Sequence, residues 1–118
     1  MKKIILIGSI IMSTLVFGDK ASDVLEDRIE NILEYKYRVI SDGKDKIKVK
    51  DYDVDIFQDY INVEVEIGNV SKGFNFDKAF VAIKDEINKE MGKTMNINVI
   101  VELDKVIGED EIIYNEKF

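Results

Sequence analysis

The sequence predicts an α+β fold: a small two-layer domain ordered helix, antiparallel strands, helix, strand. Two helices pack on one face of a three- to four-stranded sheet. Three observations carry this reading. Ile61, Val63, Val65 and Ile67 alternate with Asn62, Glu64 and Glu66, the period of two of a half-buried strand. Phe76, Ala79, Phe80, Ile83, Ile87 and Met91 recur at three- and four-residue spacing, the stripe of an amphipathic helix. Ile97, Val99, Val101 and Leu103 then return to period two. Each strand has only one apolar face, so both helices must cover the same side of one sheet.

The amino terminus reads as a targeting segment. In Met1–Gly18, Lys2 and Lys3 form a basic end, Ile4–Phe17 an apolar run, and Val16 and Gly18 a small-residue cleavage site before Asp19. The apolar run is shorter than the roughly 20 residues of a spanning helix. The expectation is a signal peptide over 1–18 and one α+β domain over 19–118, exported to a periplasmic or extracellular space. An uncleaved amino-terminal anchor is the alternative.

The first helix is expected over Ser22–Tyr35, capped by Ser22. Asp23, Glu26 and Asp27 sit near its positive end, and Leu25, Ile29, Ile32 and Leu33 form the apolar stripe. Its outer face is acidic. Tyr37–Ile40 reads as a short strand returning through a loop at Asp42, Gly43 and Lys44. That register sets Val39 against Ile47 and Tyr37 against Val49. Apolar parity then changes between Val49 and Tyr52, which predicts a bulge near Lys50–Asp51. A hairpin loop over Phe57–Tyr60 sets Ile56 against Ile61, Val54 against Val63 and Tyr52 against Val65. Asn75 is the expected cap of the second helix and Gly92 its left-handed end. Asp85 and Lys89 make a favourable pair on its wet side. From about Lys105 the chain is either a loose tail or a short edge strand at Ile112–Tyr114.

Composition bounds the chemistry. The 118 residues include no Cys, His, Pro or Trp. Thiol nucleophiles, Ser–His–Asp arrangements and ordinary zinc sites are therefore excluded. No glycine-rich phosphate loop is present. The expectation is a protein that is not an enzyme and carries no cofactor. Without Lys2 and Lys3, 15 bases face 24 acids. Such a surface repels nucleic-acid backbones and, once the signal is cleaved, anionic membranes.

The same hairpin register gathers acids on the sheet's other face. Asp53 falls opposite Glu64, Asp51 opposite Glu66 and Asp55 opposite Asn62, with Asn98 and Glu102 pointing the same way. Like charges directly opposite are destabilising. Lys46, Lys48 and Lys50 relieve them only in part. This strip is a solvated face, a docking site for a basic protein, or a hard-cation site. Asp51, Asp53, Asp55, Glu64 and Glu66 are the calcium candidates. Asp51-x-Asp53-x-Asp55 with Asp59 at the ninth place is similar to the start of a calcium loop. Ile56 and Asn62 stand where that loop needs a glycine and an acid. Phe74, Phe76 and Phe80 read as core, with Phe57 and Phe74 as alternative contact points for a partner.

The strand Ile61–Ile67 closing on Gly68-Asn69-Val70, the helix Ala79–Met91 with Gly92, and the strand Ile97–Glu102 resemble the bacterial alkaline-shock protein family. The resemblance implies a non-catalytic envelope-stress protein, in some members tethered to the membrane. The order of elements is also similar to the BON domain, a lipid-associated envelope module. The sequence thus leads to a small exported, non-enzymatic cell-envelope protein that binds or scaffolds a protein partner. A calcium-binding module and a membrane-anchored envelope-stress protein are the alternatives.

Overall fold

A computed structural model describes residues 19–105 and 107–118. The signal-peptide reading of 1–18 lies outside them. Helix α1 spans Asp19–Lys36. Strands β1 (Val39–Ser41), β2 (Lys46–Ile56) and β3 (Tyr60–Ile67) follow. Two helical segments, α2 (Phe76–Ala79) and α3 (Val81–Met91), lead to β4 (Asn96–Leu103) and β5 (Glu111–Lys117). The fold is α+β as expected, but the sheet has five strands, in the order β1-β2-β3-β4-β5. All neighbours are antiparallel except β3 and β4, which run parallel in unbroken register from Tyr60↔Asn96 to Ile67↔Leu103.

That parallel pair needs a crossover, and the crossover is α2–α3. Asn75 caps it by accepting the Lys78 N–H at 3.1 Å. Gly92 closes it in the left-handed region at φ 74°, where a side chain is strained. The stripe is bent at Phe80, whose φ of −90° and ψ of −1° separate the two segments. Ile83 and Ile87 then lie fully buried on β3 and β4. The bulge falls between Val49 and Asp51, and the register from Tyr52↔Val65 to Ile56↔Ile61 is the expected one.

Four expectations are corrected. The first helix already includes Asp19, so Ser22 lies inside it rather than at its cap. The β1–β2 register is slipped by one residue: Ile40 faces Ile47 and Val39 faces Lys48. The cause is Asp42. Its Oδ1 accepts the Lys44 and Asp45 N–H groups at 2.9 and 2.7 Å, making the loop four residues long. Its Oδ2 accepts the Asn75 N–H at 3.0 Å, tying this hairpin to the start of α2. These bonds hold the Asp42 carboxyl down at about 2. Third, Asp85 and Lys89 lie exposed on α3, whose ion pairs run instead to α1, from Glu90 to Arg28 and from Glu86 to Lys36.

The fourth correction concerns the acids of α1. The short β1 leaves most of the long β2 edge without a strand partner, and an open edge is a liability. Glu30 accepts the Val54 N–H at 2.8 Å and Glu26 accepts the Ile56 N–H at 2.7 Å. Asp23 and Asp27 are exposed, as an acidic outer face requires, whereas these two glutamates turn to the sheet edge. They do the work of a missing strand. Burial raises the Glu30 carboxyl above its usual range, although the Val54 bond opposes this. Lower on the same edge, the Tyr52 hydroxyl donates to the Tyr37 carbonyl.

Of the two readings of the tail, the edge strand is found, and it is longer than expected. The Phe118 N–H donates to the Ile97 carbonyl at 2.7 Å, continuing the β4–β5 ladder. Tyr114 anchors it from the core side. Its ring lies 5.1 Å from Phe76 and 5.7 Å from Phe80, and its hydroxyl donates to Asp77. Phe74 joins this aromatic cluster in the core, while Phe57 stays exposed. Ile83→Ala should lower unfolding free energy by about 2–5 kcal/mol, read from denaturant melts with an unchanged slope.

Candidate functional site

The even-numbered side of β3 and β4 carries no helix among the described residues. On it the cross-strand rows read Asp53, Glu64, Ile100 and Asn115 in one line, and Asp51, Glu66 and Glu102 in the next. Asp51 and Asp53 are exposed, and Asp55, Glu64, Glu66 and Glu102 are half-buried. The register thus brings five carboxylates together across three strands: Asp51, Asp53, Glu64, Glu66 and Glu102. They line a shallow hollow of about 200 Å³. Asp55 falls outside it, paired with Asn62.

The electrostatics follow from this crowding. Glu64 is pushed above the usual carboxylate range, first by partial burial and then by Glu102, Asp53 and Asp55. Glu66 is raised too, by partial burial and by Asp104, with Lys50 opposing. Lys50, the extra residue of the bulge, pairs with Asp104. That pairing holds the Asp104 carboxyl below its usual range and the Lys50 ammonium above its own.

For a cation, the candidate aspartates behave as strand residues do. Asp51, Asp53 and Asp55 occupy successive rows and do not converge. The oxygens that do converge belong to Glu66, Asp104 and Asp110, all within 4.8 Å of one another. Asp104 is fixed there because its N–H donates to the Ile67 carbonyl at 2.8 Å, extending the β3–β4 ladder by one step. Of these three, only Glu66 was legible as a candidate. Asp104 and Asp110 sit in the β4–β5 connection, and only knowledge that β5 returns beside β4 would have placed them.

Asp53 and Asp51 oppose glutamates across adjacent strands, an arrangement that attracts cations. No helix among the described residues is long and apolar enough to cross a membrane. No protein-family model, curated protein or solved structure matches the chain.

Because the folded-state carboxyls of Glu64 and Glu66 are raised, the folded chain holds their protons more tightly than the unfolded chain does. Stability contributed by these groups therefore rises as pH falls through their folded values and levels off below the unfolded ones. Glu64→Gln and Glu66→Gln should each raise unfolding free energy at pH 7 by roughly 0.2–1 kcal/mol. The gain should vanish at about pH 4, where Glu is itself protonated. Denaturant melts across that range check the sign.

Proposed function

We propose that this chain is a small non-enzymatic binding or scaffolding module of the cell envelope, exported by its amino-terminal segment. It holds a cationic protein segment on the acidic half of its open sheet. The observation that carries the reading is the pairing of Asp53 with Glu64, and of Asp51 with Glu66 and Glu102, on an uncovered face. This register sets like charges side by side at a cost to the free protein. A lysine- or arginine-rich segment removes that cost on binding, so the same residues that weaken the fold favour the complex. Export rests on the pattern of Met1–Gly18, and the absence of catalysis on the lack of Cys and His.

A second reading, a hard-cation site, is favoured by one observation: the convergence of Glu66, Asp104 and Asp110. Three oxygens are half of what calcium takes, and water supplies the rest in weak extracellular sites. The ion would compete with Lys50 for Asp104.

Titration with an oligolysine peptide tests the first reading. Binding should raise the melting temperature and weaken steeply between about 50 and 200 mM salt. It should also weaken in the Glu64→Gln/Glu66→Gln double variant, even though that variant is more stable when free. No binding, or binding indifferent to the double substitution, sinks the reading. A parallel melt in millimolar calcium against chelator addresses the second. An unchanged midpoint removes it, and an upward shift abolished by Asp110→Asn supports it.

A further inference from the structure

Beyond the acidic rows, towards the β2–β3 hairpin, the open face changes character. Phe57 and Tyr60 stack across the turn, with ring centroids 4.7 Å apart and planes 22° apart. Both are large and exposed, 46% and 41% respectively. Next to them a groove of about 470 Å³ runs over the end of the sheet. That volume falls in the range of small-molecule sites. Its floor is a cluster of carboxamides placed by the parallel register: Asn96 beside Tyr60, and Asn98 beside Asn62. Lys117 closes the far side, opposite Asn98.

The hydrogen bonding here is incomplete. Asn98 Nδ2 donates to Asn62 Oδ1 at 2.7 Å, which fixes both amides. Asn98 Oδ1 is then left buried without a partner. That oxygen is closed off from solvent, so the polar groups open to a ligand in the groove are the exposed Asn96 carboxamide and the Lys117 ammonium. Asn96 is held only by a long contact, its Nδ2 donating to the Asp59 carbonyl at 3.4 Å. A loosely held carboxamide and an ammonium thus sit beside a flat aromatic face, above a fixed Asn62–Asn98 amide pair.

We infer that this groove binds a short neutral saccharide. A hydroxyl both donates and accepts, so neighbouring hydroxyls on one ring can donate to the Asn96 carboxamide oxygen and accept from its Nδ2 and from Lys117. The apolar C–H face of a pyranose lies on the Tyr60 ring, which Phe57 holds in place. A multiply charged ligand fits less well. Anions meet Asp59 and the nearby acidic rows, and cations are drawn to those rows instead. This site shares no carboxylate pair with the proposed cationic surface, so either can fail without the other.

Chemical-shift mapping of the full chain with chitotriose and cellotriose tests the inference, each added to about 10 mM, enough to load a site with Kd of about 1 mM. At least one should shift the backbone amides of Tyr60, Asn62, Asn96 and Asn98 and leave those of Asp51 and Glu66 unmoved. Tyr60→Ala should weaken binding about ten-fold or more with the fold retained. Asn96→Ala, on an exposed side chain, is the second variant should Tyr60→Ala fail to fold. Shifts from neither sugar, shifts untouched by these substitutions, or occupancy of the groove by oligolysine in preference to the sugars would each overturn it.

Discussion

The structure depends on the parallel pairing of β3 with β4. Eight consecutive pairs, without a bulge, place Ile61, Val63, Val65 and Ile67 beside Ile97, Val99, Val101 and Leu103. Side chains alternate along a strand, so this register fixes both faces at once. Parallel neighbours also require a crossover, and α2–α3 must lie on the apolar side, where Phe80, Ile83 and Ile87 are shut away from solvent. Among the described residues the other side carries no helix. What the core demands of the odd-numbered residues leaves Asn62, Glu64 and Glu66 facing outward.

The edges of the sheet are managed by charge and by aromatic anchoring. One edge is sealed by two glutamates on α1 that accept strand N–H groups, an unusual substitute for a longer β1. The other is β5, held to the helices by Tyr114 within the Phe76–Phe80 cluster. On the open face the same charges find no such use. Glu64 and Glu66 sit against Asp53, Asp51 and Glu102, and Lys50 offsets the crowding at Glu66. The face divides into an acidic half and an amide-and-aromatic half.

Much of this was legible in the sequence because it followed from strict periodicity. The β2–β3 register and its bulge came from the parity change between Val49 and Tyr52. The caps at Asn75 and Gly92 came from residue type and position. The β1 register was missed because pairing arguments weigh apolar partners, whereas the Asp42 side chain set the loop length by collecting three backbone N–H groups. The sealing of β2 was missed because Glu26 read as a complement to the helix dipole and Glu30 carried no assignment. Their signal was spacing: four apart and next to Leu25 and Ile29 on the inward stripe. The length of β5 was obscured by its mixed composition, Glu-Ile-Ile-Tyr-Asn-Glu-Lys, since its order comes from long-range pairing with β4 and from Ile113, Tyr114 and Phe118 packing on the core. Asp104 and Asp110 were hidden with it.

The central claim is the two-sidedness of β3, and adjacent thiols test it most directly. The chain has no cysteine, so Glu64→Cys and Val65→Cys each introduce one. In native buffer the thiol at position 64 should react with a small maleimide within about ten-fold of the rate of a free cysteine, slowed by the neighbouring carboxylates. The thiol at 65 should react at least about 100-fold more slowly, through opening of the fold alone. Equal rates, or faster labelling at 65, would contradict the account.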